Sequence, residues 1–174
     1  MRAWLAALVP SEASLLAQRA AEAAAGGDAP LATQLFEEAL ARDPDQADAV
    51  VFLAADAVTR GDRDGARRWL QRLSPEGRER HRAEVGRLEF AVEAPPFLDV
   101  LPEDTAGRYG QGLARAAAGR YEEALAVFLS IVKTDRAYGD DAARRAMLRV
   151  FDVVGARSPL ADEWRGRLGM ELYK

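Results

Sequence analysis

Apolar residues along this chain recur every three or four positions, and almost nowhere do they alternate singly with polar ones. Read as helical stripes, the pattern predicts helices over 2–9, 12–25, 30–42, 46–60, 63–73, 75–93, 103–118, 121–134, 140–154 and 159–172. The stretch from 121 to 134 shows the logic. Tyr121, Ala124, Leu125, Phe128, Leu129 and Val132 fall on one stripe, while Glu122, Glu123 and Ala126 face away from it. β-branched residues are few and form no alternating run, so no sheet is expected. The expected fold is all-α, with about nine to ten helices.

The stripes themselves repeat. Gly27-Asp28 returns as Gly61-Asp62, an offset of 34 residues, and Ala32 and Phe36 return as Ala66 and Leu70. A glycine can adopt the left-handed conformation that ends one helix. An aspartate after it can cap the next by accepting a backbone N–H. The small residue lets two helices cross closely, and the large one four positions on fills the gap beneath. Pro44 stops the second helix before the following pair begins. Gly119, Ala124 and Phe128 form the same unit again. A period near 34 resembles the tetratricopeptide repeat (TPR), a helix-turn-helix unit that stacks on its neighbours.

Gly119 lies 58 residues after Gly61, which is not a multiple of 34, so an extra helical element is placed at about 75–94. Ser74 can cap it, with Pro75 at its first position. Pro95, Pro96 and Pro102 then interrupt the chain. The expected organisation is a single TPR-like array over 1–174. Within it, 11–94 form a first helical half, 95–102 a Pro-rich connector with apolar Phe97, Leu98, Val100 and Leu101, and 103–174 a second half.

Composition narrows the chemistry. Much of the 49% hydrophobic share is alanine, so each helix buries little area and many must share the core. Cysteine is absent, which removes disulfides, thiol nucleophiles and thiolate metal sites. No stretch approaches the ~18 apolar residues of a membrane span. The opening "MRAWLAALVP" has too short an apolar run and no small-x-small site for a signal peptide. A cytoplasmic protein is therefore expected. The net charge of −4 is uneven: residues 1–58 sum to −6, 59–91 to +3 and 92–174 to −1. The basic stretch is interleaved with Asp62, Asp64, Glu76, Glu79 and Glu84, which suits i,i+4 surface pairing better than a phosphate track, so nucleic acid is not the expected partner.

Near the C-terminus, Asp140 is placed to cap a helix with stripe Ala143, Met147, Val150, Phe151 and Val154, and Asp141 and Arg145 are spaced as an i,i+4 pair. Ser158-Pro159 starts the last helix, with Asp162 and Glu163 in its first turn and Leu160, Trp164, Leu168 and Leu172 on its stripe. A pattern runs through this region: Asp135-Arg136, Asp140-Asp141, Arg144, Leu148, Phe151, Gly155, Pro159-Leu160, Trp164-Arg165 and Arg167-Leu168. Over about 119–172 it resembles the C-terminal half of the thioredoxin–tetratricopeptide co-chaperone family, the YbbN or CnoX type. Members of that family carry a thioredoxin-like domain ahead of TPR helices and act as holdase-type chaperones alongside the chaperonin and the Hsp70 system. The resemblance implies a partner-binding half, with unfolded clients, chaperonin or Hsp70 as partners. This chain has no Cys-x-x-Cys and no βαβ pattern, and residues 1–10, with Trp4, resemble a linker helix after such a domain. Met1 is thus expected to begin a fragment.

Reactive constellations do not emerge. Glu122 and Glu123 sit as Glu37 and Glu38 do in the first repeat, on a wet edge. His81 has no second His or Cys beside which to build a site, and a half-buried structural role is expected on the face of Val85, Leu88 and Val92. The acidic turn of Asp43, Asp45 and Asp48 lacks the glycine and glutamate of a calcium loop, which here are Asp48 and Ala54. "GRYGQG" at 107–112 lacks the flanking strand and third glycine of a phosphate cradle, and Gly112 suits a close helix crossing. Ala17, Ala21 and Phe52 occupy the positions of a carboxylate clamp and cannot hold one. No catalytic residue, cofactor or metal is expected. Trp164, Leu168 and Leu172 can seal the end of the stack, and Met170 and Tyr173 lie off that stripe as contact residues for a partner; both roles can hold. A protein-binding module of a co-chaperone is the reading, with a generic TPR scaffold as its alternative.

Overall fold

The computed structural model describes residues 11–95 and 104–173. The expected helix at 2–9, Trp4 and all of the 95–102 connector except Pro95 lie outside these residues. Ten helices and no strands occur among the described residues. They are α1 Glu12–Ala25, α2 Ala29–Arg42, α3 Ala47–Thr59, α4 Arg63–Gln71, α5 Pro75–Arg80, α6 Arg82–Glu93, α7 Thr105–Ala117, α8 Tyr121–Thr134, α9 Ala142–Val154 and α10 Pro159–Leu172. The chain divides into two compact units, with the boundary between His81 and Arg82.

In the first unit α1 pairs with α2 and α3 with α4, α2 packs on α3, and α5 lies against α3. The turns are built as the repeat requires. Gly27 and Gly61 have φ of +83° and +78°, and each following aspartate caps the next helix, Asp28 through Leu31 N–H at 3.1 Å and Asp62 through Gly65 N–H at 2.8 Å. Ala32 and Ala66 are fully buried at the crossings, with Phe36 and Leu70 filling the space beneath. Phe36 meets Phe52 with ring centroids 4.5 Å apart.

In the second unit α7 pairs with α8 and α9 with α10, while α6 packs on both α7 and α9. Gly119 repeats the left-handed turn at φ +74°, Ala124 is fully buried and Phe128 plugs the crossing. A Cβ added at Gly112 would stand 2.4 Å from the Phe128 ring, so only glycine admits that ring. Gly86 plays the same part between α6 and α9, where a Cβ would meet Val153 at 2.1 Å.

Three expectations are corrected. The single helix drawn over 75–93 is two, broken at His81. His81 sits at φ −107° and ψ 25°, its N–H still closing α5 onto Gly77. The break lets α5 lie against α3 while α6 serves α7 and α9. His81 is half-buried as expected, but at this break, with Nε2 3.1 Å from Asp48 Oδ1. Second, Asp140 does not cap α9. Asp140 and Asp141 both adopt positive φ, +56° and +62°, and α9 begins at Ala142 with no side-chain cap. Third, Asp141 does not pair with Arg145. The left-handed turn rotates Asp141 onto Arg144 at 2.9 Å and leaves Arg145 to Asp140 at 3.3 Å and to the Gly139 carbonyl at 2.8 Å.

Candidate protein-binding surface

The last helix is assembled from local signals. Ser158 Oγ accepts the Ala161 N–H at 3.2 Å, Pro159 occupies the first position and Asp162 lies in the first turn. Ala161, Trp164 and Leu168 are buried against α8 and α9, and Leu160 and Leu172 are half-buried at either end of the stripe. The opposite edge is apolar and wet: Met170 is 64% exposed and Tyr173 92%. Of the five residues singled out on this helix, then, Trp164 and Leu168 belong to the core, Leu172 is intermediate, and Met170 and Tyr173 face solvent.

Between α8 and α10 runs a cleft of about 650 Å³ lined by Tyr121, Glu122, Ala126, Leu160, Trp164 and Arg167, among others. A second hollow of about 420 Å³ shares Ala126, Trp164 and Arg167 with it and reaches Lys133 and Met170. Ala126 is the small exposed residue that leaves room opposite Trp164. The indole Nε1 of Trp164 is buried and has no hydrogen-bond partner. Burial pushes the Tyr121 phenol above its ordinary range, with Arg87 opposing. The phenol of Tyr109, whose ring meets those of Phe128 and Tyr138 at a tilt, is raised first by burial and then by Glu93.

Electrostatically the cleft is balanced. Glu123 lies 3.4 Å from Arg120 and 3.5 Å from Arg115, Arg167 binds Glu163 at 2.6 Å, and Lys133 reaches Glu171 at 3.4 Å. The Arg167 guanidinium also lies over the Trp164 ring, 4.5 Å from its centroid. Glu122 and Glu123 thus rim an apolar floor, with Glu123 held in an ion pair. Such an arrangement suits burial of a neutral apolar side chain better than proton transfer. Of the acidic turn, Asp43 Oδ1 accepts the Asp45 N–H at 3.1 Å, as in a local turn. Among the described residues no group of three or more His, Cys, Asp or Glu side chains converges as metal ligands, and no helix is long and apolar enough to cross a membrane.

The cleft was not legible as such in the sequence. Its one signal was Ala126, an alanine on the wet face of α8 at the level of Trp164.

Two tetratricopeptide-repeat profiles match the chain, over residues 23–88 and 78–173. The second spans more than half of it, and the chain belongs to the tetratricopeptide repeat family. No curated protein matches it significantly. Proteins of this family generally serve as protein-binding scaffolds, and the repeats of this chain form a protein-interaction module.

Proposed function

We propose that this chain is the protein-binding module of a cytoplasmic co-chaperone of the thioredoxin–tetratricopeptide type, a holdase that docks unfolded clients, or a chaperonin or Hsp70 surface, without covalent chemistry. The observation that carries the reading is α10. Its Trp164 and Leu168 seal the second unit, yet Met170 remains exposed on the lining of an apolar hollow and Tyr173, three residues on, faces solvent. Exposed large apolar side chains next to a groove are the usual anchors of a protein partner. The resemblance of the residue pattern over 119–172 is what favours this family of co-chaperones over a generic scaffold; its Phe151, Trp164 and Leu168 lie in the core of the second unit.

The test is suppression of aggregation of two unrelated, heat-unfolded enzymes by the purified chain, repeated with Met170→Glu and Tyr173→Glu combined. Suppression of both clients, lost in the double variant, is expected. Native pull-down with mass spectrometry runs beside it. Retention of one unrelated complex, with no effect on either client, would replace the co-chaperone by a generic TPR scaffold.

A further inference from the structure

The arginines of α4 are used differently from those of the last two helices. In α9 and α10 every arginine has a carboxylate: Arg144 with Asp141, Arg145 with Asp140, Arg149 with Glu93, Arg165 with Asp162 and Arg167 with Glu163. In α4 the sequence spacing offered the same, Asp64 to Arg68 and Arg72 to Glu76, each at i,i+4. Neither pair forms. Asp64 binds Arg67 instead, at 2.6 Å. The helix stops at Gln71, so Arg72 is its cap and Glu76 falls in the first turn of α5. Asp62 caps the helix start through Gly65 N–H.

Arg68 and Arg72 are therefore exposed with no carboxylate partner among the described residues. They stand about one helical turn apart, on the side of α4 away from the buried Ala66 and Leu70. Between them Trp69 is half-buried, and the Arg72 guanidinium lies on its ring, 4.7 Å from the centroid. A guanidinium stacked on an indole keeps its N–H edge free while losing less freedom when it binds.

We propose that Arg68, Arg72 and Trp69 form a recognition face for an acidic segment of a protein partner. Side chains one helical turn apart leave the backbone with Cβ atoms roughly 6 Å apart, close enough for two arginines to reach carboxylates on alternate residues of an extended chain, which repeat every ~6.6 Å. Each pair would be a charge-assisted, fork-shaped contact. A nucleic acid fits less well. A phosphate track needs a longer run of free cations than two, and the acids Asp62 and Asp64 flank this face in a chain of net charge −4. The inference rests on the protein-binding reading of the chain and not on the co-chaperone role or the cleft of α10. Arg68 and Arg72 also complement the carbonyl end of α4, a structural role that affects helix stability but not peptide binding.

The experiment is a fluorescence-anisotropy titration of the full chain into a fluorescein-labelled Gly-Ser-Glu-Ser-Glu-Ser-Gly peptide at low ionic strength, with a single-stranded oligonucleotide of equal charge as the rival. Saturable peptide binding is expected. It should weaken about tenfold or more in the Arg68→Glu, Arg72→Glu double variant and severalfold in Arg72→Lys, which keeps the charge but loses the fork and the stack. Circular dichroism of both variants separates lost binding from the fraying that charge reversal at the carbonyl end of α4 can cause, and Arg72→Lys keeps the charge there. Binding that is absent, or equal in the double variant, overturns the proposal, as does tighter binding of the oligonucleotide through the same two arginines. Peptide binding that persists when the chain fails to protect unfolded enzymes leaves this inference standing and removes the co-chaperone reading alone.

Discussion

The two units reach the same helix-pair architecture by different means. The first has a core of small side chains: Ala20, Ala32, Ala39, Ala49, Ala54 and Ala66 are all fully buried there. Of the largest fully buried side chains, Val50 belongs to the first unit, while Phe90, Phe128, Phe151, Leu125, Ile131, Met147 and Val150 belong to the second. Capping runs the other way. Ser11, Asp28, Asp62 and Ser74 each accept a backbone N–H at the start of a first-unit helix, while α3 starts at Gln46 with no side-chain cap. In the second unit Asp104 and Ser158 do so, but α8 and α9 begin at Arg120 and Asp141 with no side-chain cap. A buried alanine removes little area from water, so each cap is a larger share of what holds the first unit together. A buried phenylalanine contributes several times more, and its shape fixes the crossing even where the helix start is poorly signalled.

The difference is broken most directly at Phe128. Its ring is fully buried, fills the space that Gly112 leaves, and meets the Tyr109 ring at a tilt with centroids 5.7 Å apart. Phe128→Ala should cost about 3–5 kcal/mol. Hydrogen exchange resolved by helix is the readout, because the loss should fall on α7 to α9 and spare α1 to α4. A loss spread evenly over both units would mean that their cores do not act separately.

The corresponding cut in the first unit is Asp62→Ala. It removes the acceptor for the Gly65 N–H while the left-handed Gly61 stays in place. The expected loss is about 1 kcal/mol, seen as faster exchange in α4 and a lower urea midpoint with an unchanged slope. An effect below a few tenths of a kcal/mol would show that the alanine crossings, not the turns, carry this unit.

These two positions also show how far the sequence could be read. The turns were legible because glycine with positive φ followed by aspartate is a local signal, and its recurrence at 34 residues made it visible twice. Phe36, Leu70 and Phe128 were legible as plugs because they follow a small residue at one helical turn. What stayed hidden was decided by tertiary contact. Nothing local at His81 reveals a helix break, which arises because α5 and α6 pack on different partners. Asp140 read as a helix cap, and Asp141 as the partner of Arg145, until the turn is seen to be left-handed through Gly139, Asp140 and Asp141 in succession. The α8–α10 cleft needed Ala126 and Trp164 to be brought together from different helices. The free arginines of α4 needed the helix to end at Gln71, one residue short of Arg72.

The smallest expected effect sharpens the comparison most, because it carries the first unit's device into the second. The backbone at Arg120 is already that of a capping residue: φ −84° and ψ 64°, against −89° and 72° at Asp28 and −81° and 78° at Asp62. Its N–H bonds Arg115 O at 2.9 Å, as Asp28 N–H bonds Ala23 O at 2.9 Å and Asp62 N–H bonds Ala57 O at 2.8 Å. Only a side-chain acceptor for the Glu123 N–H is missing. Arg120→Asn supplies one without adding charge beside Glu122 and Glu123. It gives up the 3.4 Å pair with Glu123, but both groups there are about half exposed, so that pair contributes little, and Arg115 still faces Glu123 at 3.5 Å. The variant should gain about 0.5–1 kcal/mol, read as a higher urea midpoint with the slope unchanged and slower exchange in the first turn of α8. A neutral result would mean that the packing of Tyr121, Ala124 and Leu125 already holds that turn, so that a cap adds stability only where the core beneath it is made of alanine.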